Sequence, residues 1–334
     1  MNGLIDVHAH FCPGDFPKDP LSSGTPRWPC MQCQSATKRT VMLDGKPFRE
    51  LDDRSWDVSR RLADMDADGV TMQALSPMPE LLSYWIDPKV FSVLADCING
   101  AIAEIAAKHP ARFCGLGMVP MQDTRQAIVG LRDIKKKFGL SGVEIGSNIN
   151  GTLLGDPRFD AFYAAAEELE LAVFVHALHP VATKGLGVGP MYDAMAGFPI
   201  DTAMSIAHIL LADIPKRFPK LRIGFSHGGG AILPILHRLD NGWHMTNGFG
   251  GRLEMKPSDS ARTFFYDSLV YDAGFLAHFA EEMGSGHIFL GTDYPYPIMQ
   301  KNPAAFLANA PTTLDNHKSF TTGAAQKFLI PADG

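Results

Sequence analysis

Leu4-Ile5-Asp6-Val7-His8-Ala9-His10 opens the chain with an apolar run that ends in two histidines. In a β-strand, alternate side chains share a face, so His8 and His10 point the same way. Two imidazoles on one face at the C-terminal end of a strand can chelate one divalent metal. By itself the pair is a weak sign. It gains weight because the same design, an apolar run closed by a polar side chain, recurs down the chain. Ala172-Val173-Phe174-Val175-His176 and Arg222-Ile223-Gly224-Phe225-Ser226-His227 each end in an imidazole. Ile288-Phe289-Leu290-Gly291-Thr292-Asp293 ends in a carboxylate.

Working outward, strands are predicted over 3–10, 71–77, 113–120, 142–147, 172–177, 222–227, 264–270 and 287–292. Helices are predicted between them, over 57–68, 87–108, 123–137, 157–170, 200–213, 231–243, 273–283 and near 315–329. Asp123 and Asp156-Pro157 are good helix starts. Lys135-Lys136-Lys137 before Gly139 is a good stop, read as a solvated helix end. Eight strands, each followed by a helix, predict an α/β chain folded as a (β/α)8 TIM barrel. A doubly wound open sheet is the competitor, but the first strand–helix turn has no Gly-x-Gly-x-x-Gly fingerprint. Residues 1–334 read as one barrel domain with two breaks in its rhythm. The insertion 12–56 follows the first strand and carries a small hairpin, Val41 to Phe48, turning at Asp44-Gly45. A loop insertion, 178–199, follows the fifth strand. Both leave C-terminal strand ends, so both would overhang the active-site face.

Composition narrows the function. The chain has 334 residues, 46% hydrophobic and 20% charged, as a globular protein with a large core does. Net charge is −6 with no basic patch, which excludes the usual nucleic-acid and anionic-membrane partners. No apolar run reaches the roughly 18 residues that span a bilayer, and the N-terminus has no secretory pattern. The expected location is the cytoplasm. Five cysteines do not make a disulfide scaffold. Cys30-x-x-Cys33 has no second ligand pair at finger spacing and is read as structural or incidental thiols in a Pro-rich loop.

In a barrel the polar strand ends meet at one mouth. His8, His10, His176 and Asp293 would give nitrogen and oxygen ligands suited to one divalent metal, zinc foremost with manganese as the alternative. Asp293 is open to two roles, ligand and proton acceptor. His227 is read as a general acid/base beside the metal. Strand four ends Val143-Glu144-Ile145-Gly146 and has no lysine, so a mononuclear site is expected, with Glu144 a structural or pocket residue. Strands two, three and seven are read as contributing no ligand-type end.

The chain resembles the amidohydrolase superfamily, in its decarboxylase branch. The carrying motifs are Asp6-Val7-His8-Ala9-His10, Phe174-Val175-His176, Ser226-His227-Gly228-Gly229-Gly230 and Gly291-Thr292-Asp293-Tyr294-Pro295. Gly45-Lys46-Pro47-Phe48-Arg49, Ser55-Trp56-Asp57, Met65 to Val70 and Val119-Pro120-Met121-Gln122 extend the likeness over nearly the whole chain. The resemblance implies a barrel with a mononuclear zinc-type site and cofactor-free, non-oxidative loss of carbon dioxide from an unsaturated or aromatic carboxylic acid. It implies His8, His10, His176 and Asp293 as ligands and His227 as the catalytic histidine, with a water on the metal sharing the proton transfer. It implies Arg49 as a grip on a substrate carboxylate, and Arg238 as a residue lent to the neighbouring subunit of a homodimer. A hydrolase or hydratase acting on a ring-cleavage product would use the same ligands. The chain departs from the family after the strand-five histidine. The relatives carry Pro-Trp-Asp where this chain reads Ala177-Leu178-His179, and a basic residue of theirs falls near Trp243-His244-Met245-Thr246-Asn247, with Arg252 further on.

Overall fold

The structure is a computed structural model that describes residues 3–21 and 24–331. The ends of the 1–334 span, and Ser22 and Ser23 within the 12–56 insertion, lie outside the described residues. In chain order the strands are β1 Leu4–Phe11, β2 Cys30–Cys33, β3 Lys38–Leu43, β4 Lys46–Asp52, β5 Val70–Pro77, β6 Phe113–Gly117, β7 Gly142–Gly146, β8 Asn148–Ile149, β9 Thr152–Leu153, β10 Ala172–His176, β11 Ile223–Phe225, β12 Phe265–Asp267 and β13 Ile288–Tyr294. Eight of them close a barrel in the order β1-β13-β12-β11-β10-β7-β6-β5. Neighbouring barrel strands pair in parallel. The helices that cover it are α1 Val58–Asp68, α2 Pro88–Lys108, α3 Thr124–Asp133, α4 Asp160–Glu168, α5 Phe198–Leu211, α6 Ile232–Met245, α7 Ala273–Met283 and α8 Ala324–Leu329. Each predicted strand and helix is present.

Local chemistry places the boundaries. Asp123 accepts from the backbone amides of Arg125 and Gln126 and starts α3. Asp156 accepts from the amide of Arg158 and starts the turn that leads into α4. Gly139 ends the stretch after α3 with a left-handed φ of 63°. The lysines before it are exposed, as expected of a solvated end. α2 and the helical run Pro190–Leu211 are long and apolar enough by composition to cross a bilayer. Here they cover the barrel, with Leu94, Ile98, Ile102, Ile206 and Ile209 fully buried. Each such side chain contributes about 1.5–3 kcal/mol by leaving water.

The barrel's lower interior is an apolar plug. Ile5, Val7, Phe174, Phe265 and Phe289 meet Phe328 and Leu329 of α8 there. Phe328 lies 5.1 Å from Phe289 and 5.3 Å from Phe265, ring centre to ring centre. Above the plug the register of β1 is interrupted between Asp6 and His8. This bulge lets Val7 join the plug while its neighbour His8 stands 5.3 Å from Phe174 on the same inner side.

The insertion after β1 folds as a three-stranded antiparallel sheet, β2-β3-β4. Asp44 and Gly45 join β3 to β4 with φ of 50° and 70°, the left-handed pair that a tight hairpin needs. Cys30 and Cys33 are not in a loop. They begin and end the edge strand β2, exposed and free. The 178–199 segment also differs from a plain loop, because Pro190–Tyr192 and Asp193–Gly197 are helical and run into α5. Gly189, with φ 82°, turns the chain and Pro190 starts the first helical turn.

Candidate metal centre and active-site cavity

Four side chains converge inside the C-terminal mouth of the barrel. Ligand atoms of His8, His10, His176 and Asp293 all lie within 4.8 Å of one another, and all four residues are buried. Three of the rings have their Nδ1 committed elsewhere. His8 Nδ1 donates to Asp267 Oδ2 at 2.6 Å, His10 Nδ1 to the Pro77 carbonyl at 3.1 Å and His176 Nδ1 to the Ala177 carbonyl at 2.8 Å. Those acceptors take the Nδ1 proton of each ring, so the Nε2 of each is the atom turned inward, and in the neutral form it presents a lone pair. His8 Nε2 and His10 Nε2 face each other at 3.0 Å. Asp293 Oδ1 lies 3.1 Å from His10 Nε2 and 3.5 Å from His8 Nε2. His176 Nε2 and Asp293 Oδ1 are buried without a hydrogen-bond partner. Inward lone pairs with no proton between them are a poor arrangement for hydrogen bonding and a good one for a divalent cation. Three nitrogens and one oxygen fit zinc or manganese. Burial, then the neighbouring His10, holds the His176 pKa well below its ordinary value, which keeps that ring neutral and able to ligate.

Beneath this cluster runs a buried polar lattice. Asp6 accepts from Thr292 Oγ1 at 2.6 Å, Gln73 Nε2 at 3.0 Å and the His8 amide at 3.2 Å. Arg61 of α1 donates to the His10 carbonyl at 2.6 Å and to Gln73 at 3.0 Å. The lattice ties β1, β5, β13 and α1 together directly below the ligands. Gly291 is required beside it, because a Cβ there would stand 2.6 Å from that of Asp267 and 2.8 Å from that of His8.

Asp267 corrects the sequence reading of strand seven. It ends β12 with a carboxylate that faces the site. Besides His8 it accepts from the backbone amides of His227 at 2.9 Å and Gly228 at 2.7 Å. Burial opposes its charge, yet these bonds and the His8 contact hold its pKa below the usual range. Phe265-Tyr266-Asp267 has the same apolar-then-polar form as the other strand ends, which was the available signal. Glu144, on β7, stands 3.7 Å behind His10 Nδ1 and outside the ligand cluster. Burial pushes its pKa up to about 7.

His227 stands beside the cluster, its ring centre 5.0 Å from that of His176 and 5.4 Å from that of His8. Its Nδ1 is 3.0 Å from Ser226 Oγ, which leaves Nε2 free to exchange a proton. Burial, with His8 nearby, lowers its pKa to about 4. His227 and Asp293 both have left-handed backbones, with φ of 56° and 65°. Non-glycine residues hold such a conformation at a cost of about 1–3 kcal/mol each, and they gather at functional sites.

A cavity of about 650 Å³ opens above these groups, lined by His176, His227 and Asp293 at its floor and by Arg49, Glu80 and Tyr296 at one side. Met191, Met195 and Phe198, from the segment after β10, form another wall. Arg49 of β4 therefore borders the cavity, as its place on the overhanging hairpin suggested. Arg238 does not border this chain's cavity; it is exposed on α6. The departures from the family fall where the cavity meets its surroundings. Ala177 supplies the carbonyl for His176, and Leu178 gives the cavity an apolar wall. His179 turns away toward Trp85, 5.6 Å between ring centres, beside a second cavity. Trp243 donates to the Leu253 carbonyl, and neither it nor Arg252 lines the active-site cavity.

The comparisons with known proteins agree with this geometry. The amidohydrolase family pattern matches residues 5–329. The 2-amino-3-carboxymuconate-6-semialdehyde decarboxylase of Dictyostelium discoideum is 32% identical over 97% of this chain and 91% of its own length. The enzyme of that name from Caenorhabditis elegans is 29% identical over 88% and 86%. Among solved structures, 5-carboxyvanillate decarboxylase from Sphingomonas paucimobilis superposes with a TM-score of 0.80 at 27% identity, covering 98% and 99% of the two chains. A dihydroxybenzoic acid decarboxylase from Polaromonas, solved with bound manganese, shares the fold with a TM-score of 0.77 at 21% identity over 98% and 97%. The chain belongs to the amidohydrolase family, in its decarboxylase branch.

Proposed function

We propose that this protein is a metal-dependent, cofactor-free decarboxylase of an unsaturated or aromatic carboxylic acid, acting as one barrel domain with the 12–56 insertion over its mouth. The observation that carries the reading is the set of inward lone pairs, His8, His10 and His176 Nε2 with Asp293 Oδ1, at the base of a cavity that is mostly apolar apart from the side with Arg49, Glu80 and Tyr296. These four residues would hold the metal, zinc by preference with manganese as the alternative. When bound, such a cation supplies a Lewis acid for the oxygen atoms of the acid.

The chain's own groups then do the rest. The apolar wall excludes water and holds the ring. His227, neutral near pH 7, takes a proton at Nε2 from a solvent water, leaving hydroxide to the bulk, and delivers it to the carbon that bears the carboxylate. Asp293 carries negative charge next to that path and favours the protonated imidazole while it exists. As the C–H bond forms, conjugation is interrupted. The C–C bond then breaks, its electron pair restores the conjugation, and carbon dioxide leaves. Arg49 marks the end of the cavity where the polar substituents of the acid would lie. Arg238, exposed on α6, would complete the cavity of a second copy in a homodimer. All five cysteines are free, which suits a reducing cytoplasmic compartment.

The test is carbon dioxide release from a panel of hydroxybenzoates and ring-cleavage acids, with and without chelator. Release that stops with chelator and returns with zinc or manganese is expected. No release from any acid, in protein shown to hold one metal per chain, would turn the reading toward a hydrolase or hydratase.

A further inference from the structure

The polar corner of the cavity is built from groups that the metal centre does not use. Arg49 holds its guanidinium 5.0 Å from the centre of the Tyr296 ring and pairs with Glu80. Glu80 comes from the short turn Pro79–Leu82 after β5. Its side chain is 13% exposed, against 38% for Arg49, so the carboxylate is the more deeply set partner. Among the described residues lining the cavity, Arg49 is the only lysine or arginine. Its charge is thus already matched from within the chain. In and beside the pair, Arg49 Nε, Glu80 Oε2 and the Tyr296 hydroxyl are buried without hydrogen-bond partners. Leu178, Met195, Phe198, Leu269 and Phe275 add apolar surface to the same cavity.

We propose that Glu80 determines specificity: by holding Arg49 in a matched pair, it makes the cavity accept acids with one carboxylate, taken at the metal centre, and reject acids that bring a second to the Arg49 corner. The proposal rests on the decarboxylase reading for the place of the first carboxylate. A second carboxylate meets a neutralised guanidinium and a glutamate of its own sign. To pair with Arg49 it must compete with Glu80 for the guanidinium, and two carboxylates would then share one cation on a cavity wall with no other lysine or arginine. A neutral hydroxyl or amino substituent meets no such barrier. It can donate to Glu80 Oε2 and bond the Tyr296 hydroxyl, satisfying those two atoms without adding a negative charge.

The test is calorimetric, on metal-loaded protein, with salicylate and 3-carboxysalicylate as the probes. Glu80→Gln keeps the shape and an acceptor for Arg49 but removes the charge. The preference for salicylate, read as the ratio of the two Kd values, should fall by about tenfold or more. An unmoved ratio overturns the proposal. Arg49→Gln is the second variant, for use if Glu80→Gln fails to fold by circular dichroism. It leaves the Glu80 charge unmatched, so the ratio should rise by a similar factor, and a ratio that falls or stays overturns the proposal. Failure of salicylate to bind the unaltered protein also overturns it. Carbon dioxide release, measured in parallel on the whole acid panel, keeps the two readings apart. A shifted ratio with no release from any acid strikes the decarboxylase reading and leaves the role of Glu80 standing. Release with an unmoved ratio does the reverse.

Discussion

The floor of the cavity and its walls are made in different ways. The floor hangs from parallel strands. His8, His10, His176 and Asp293 occupy the ends of β1, β10 and β13, and a buried lattice through Asp6, Gln73, Thr292 and Arg61 fixes the backbone below them. The walls come from connections. Arg49 arrives on the insertion after β1, Glu80 on the turn after β5, and Met191 and Met195 on the segment after β10. A strand ladder sets its side chains within a narrow range, whereas a connection can be rebuilt without loss of the barrel. The difference teaches where to look for each property: reaction chemistry on the floor, choice of acid on the walls.

The strongest way to break that division is to remove a floor ligand. His176→Ala and Asp293→Ala should each lose the metal, measured by elemental analysis, and fall to the activity of chelated protein. Full activity in either would take that residue out of the metal shell. His227→Ala sharpens the contrast within the floor. It should keep its metal and lose about 10²–10⁴-fold in kcat, the usual worth of a positioned acid or base. Loss of metal together with activity would make His227 a ligand instead. Asp267→Asn comes next. It keeps the size of the side chain but weakens the acceptor that orients His8 Nδ1, so metal affinity should drop about 10–100-fold, read by competition with a chromophoric chelator. Unchanged affinity would show that the β1 backbone alone orients His8.

The same division explains what the sequence made legible. The barrel could be read because short continuous apolar runs and helix starts such as Asp123 and Asp156 are local signals. The ligand cluster could be read because a barrel brings all C-terminal strand ends together, so position along each strand stood in for position in space. Asp267 was missed although it ends β12 much as Asp293 stands one residue before the end of β13. Its role depends on two partners remote in sequence, His8 and the His227 amide. The Arg49–Glu80 pair was illegible for the same reason. An arginine on a hairpin looks free until the turn after β5 sets a carboxylate against it. Cys30-x-x-Cys33 shows the converse, a motif with a familiar spacing that folds into an exposed edge strand.

The smallest expected effect probes the wall where it is least tied to the rest. Met191 is 74% exposed and Met195 51%, although both line the cavity. Truncating side chains so exposed removes little from the core, and the stability change should stay within about 0.5 kcal/mol. What they can lose is contact with a bound acid, worth about 0.8 kcal/mol for each methylene covered. Met191→Ala and Met195→Ala should therefore raise KM by a few-fold, with metal content, Tm and the pH profile of kcat unmoved. A fall in metal content in either variant would contradict the division itself. It would mean that the segment after β10 braces the ligands from above, and that the floor is not held by its strands alone.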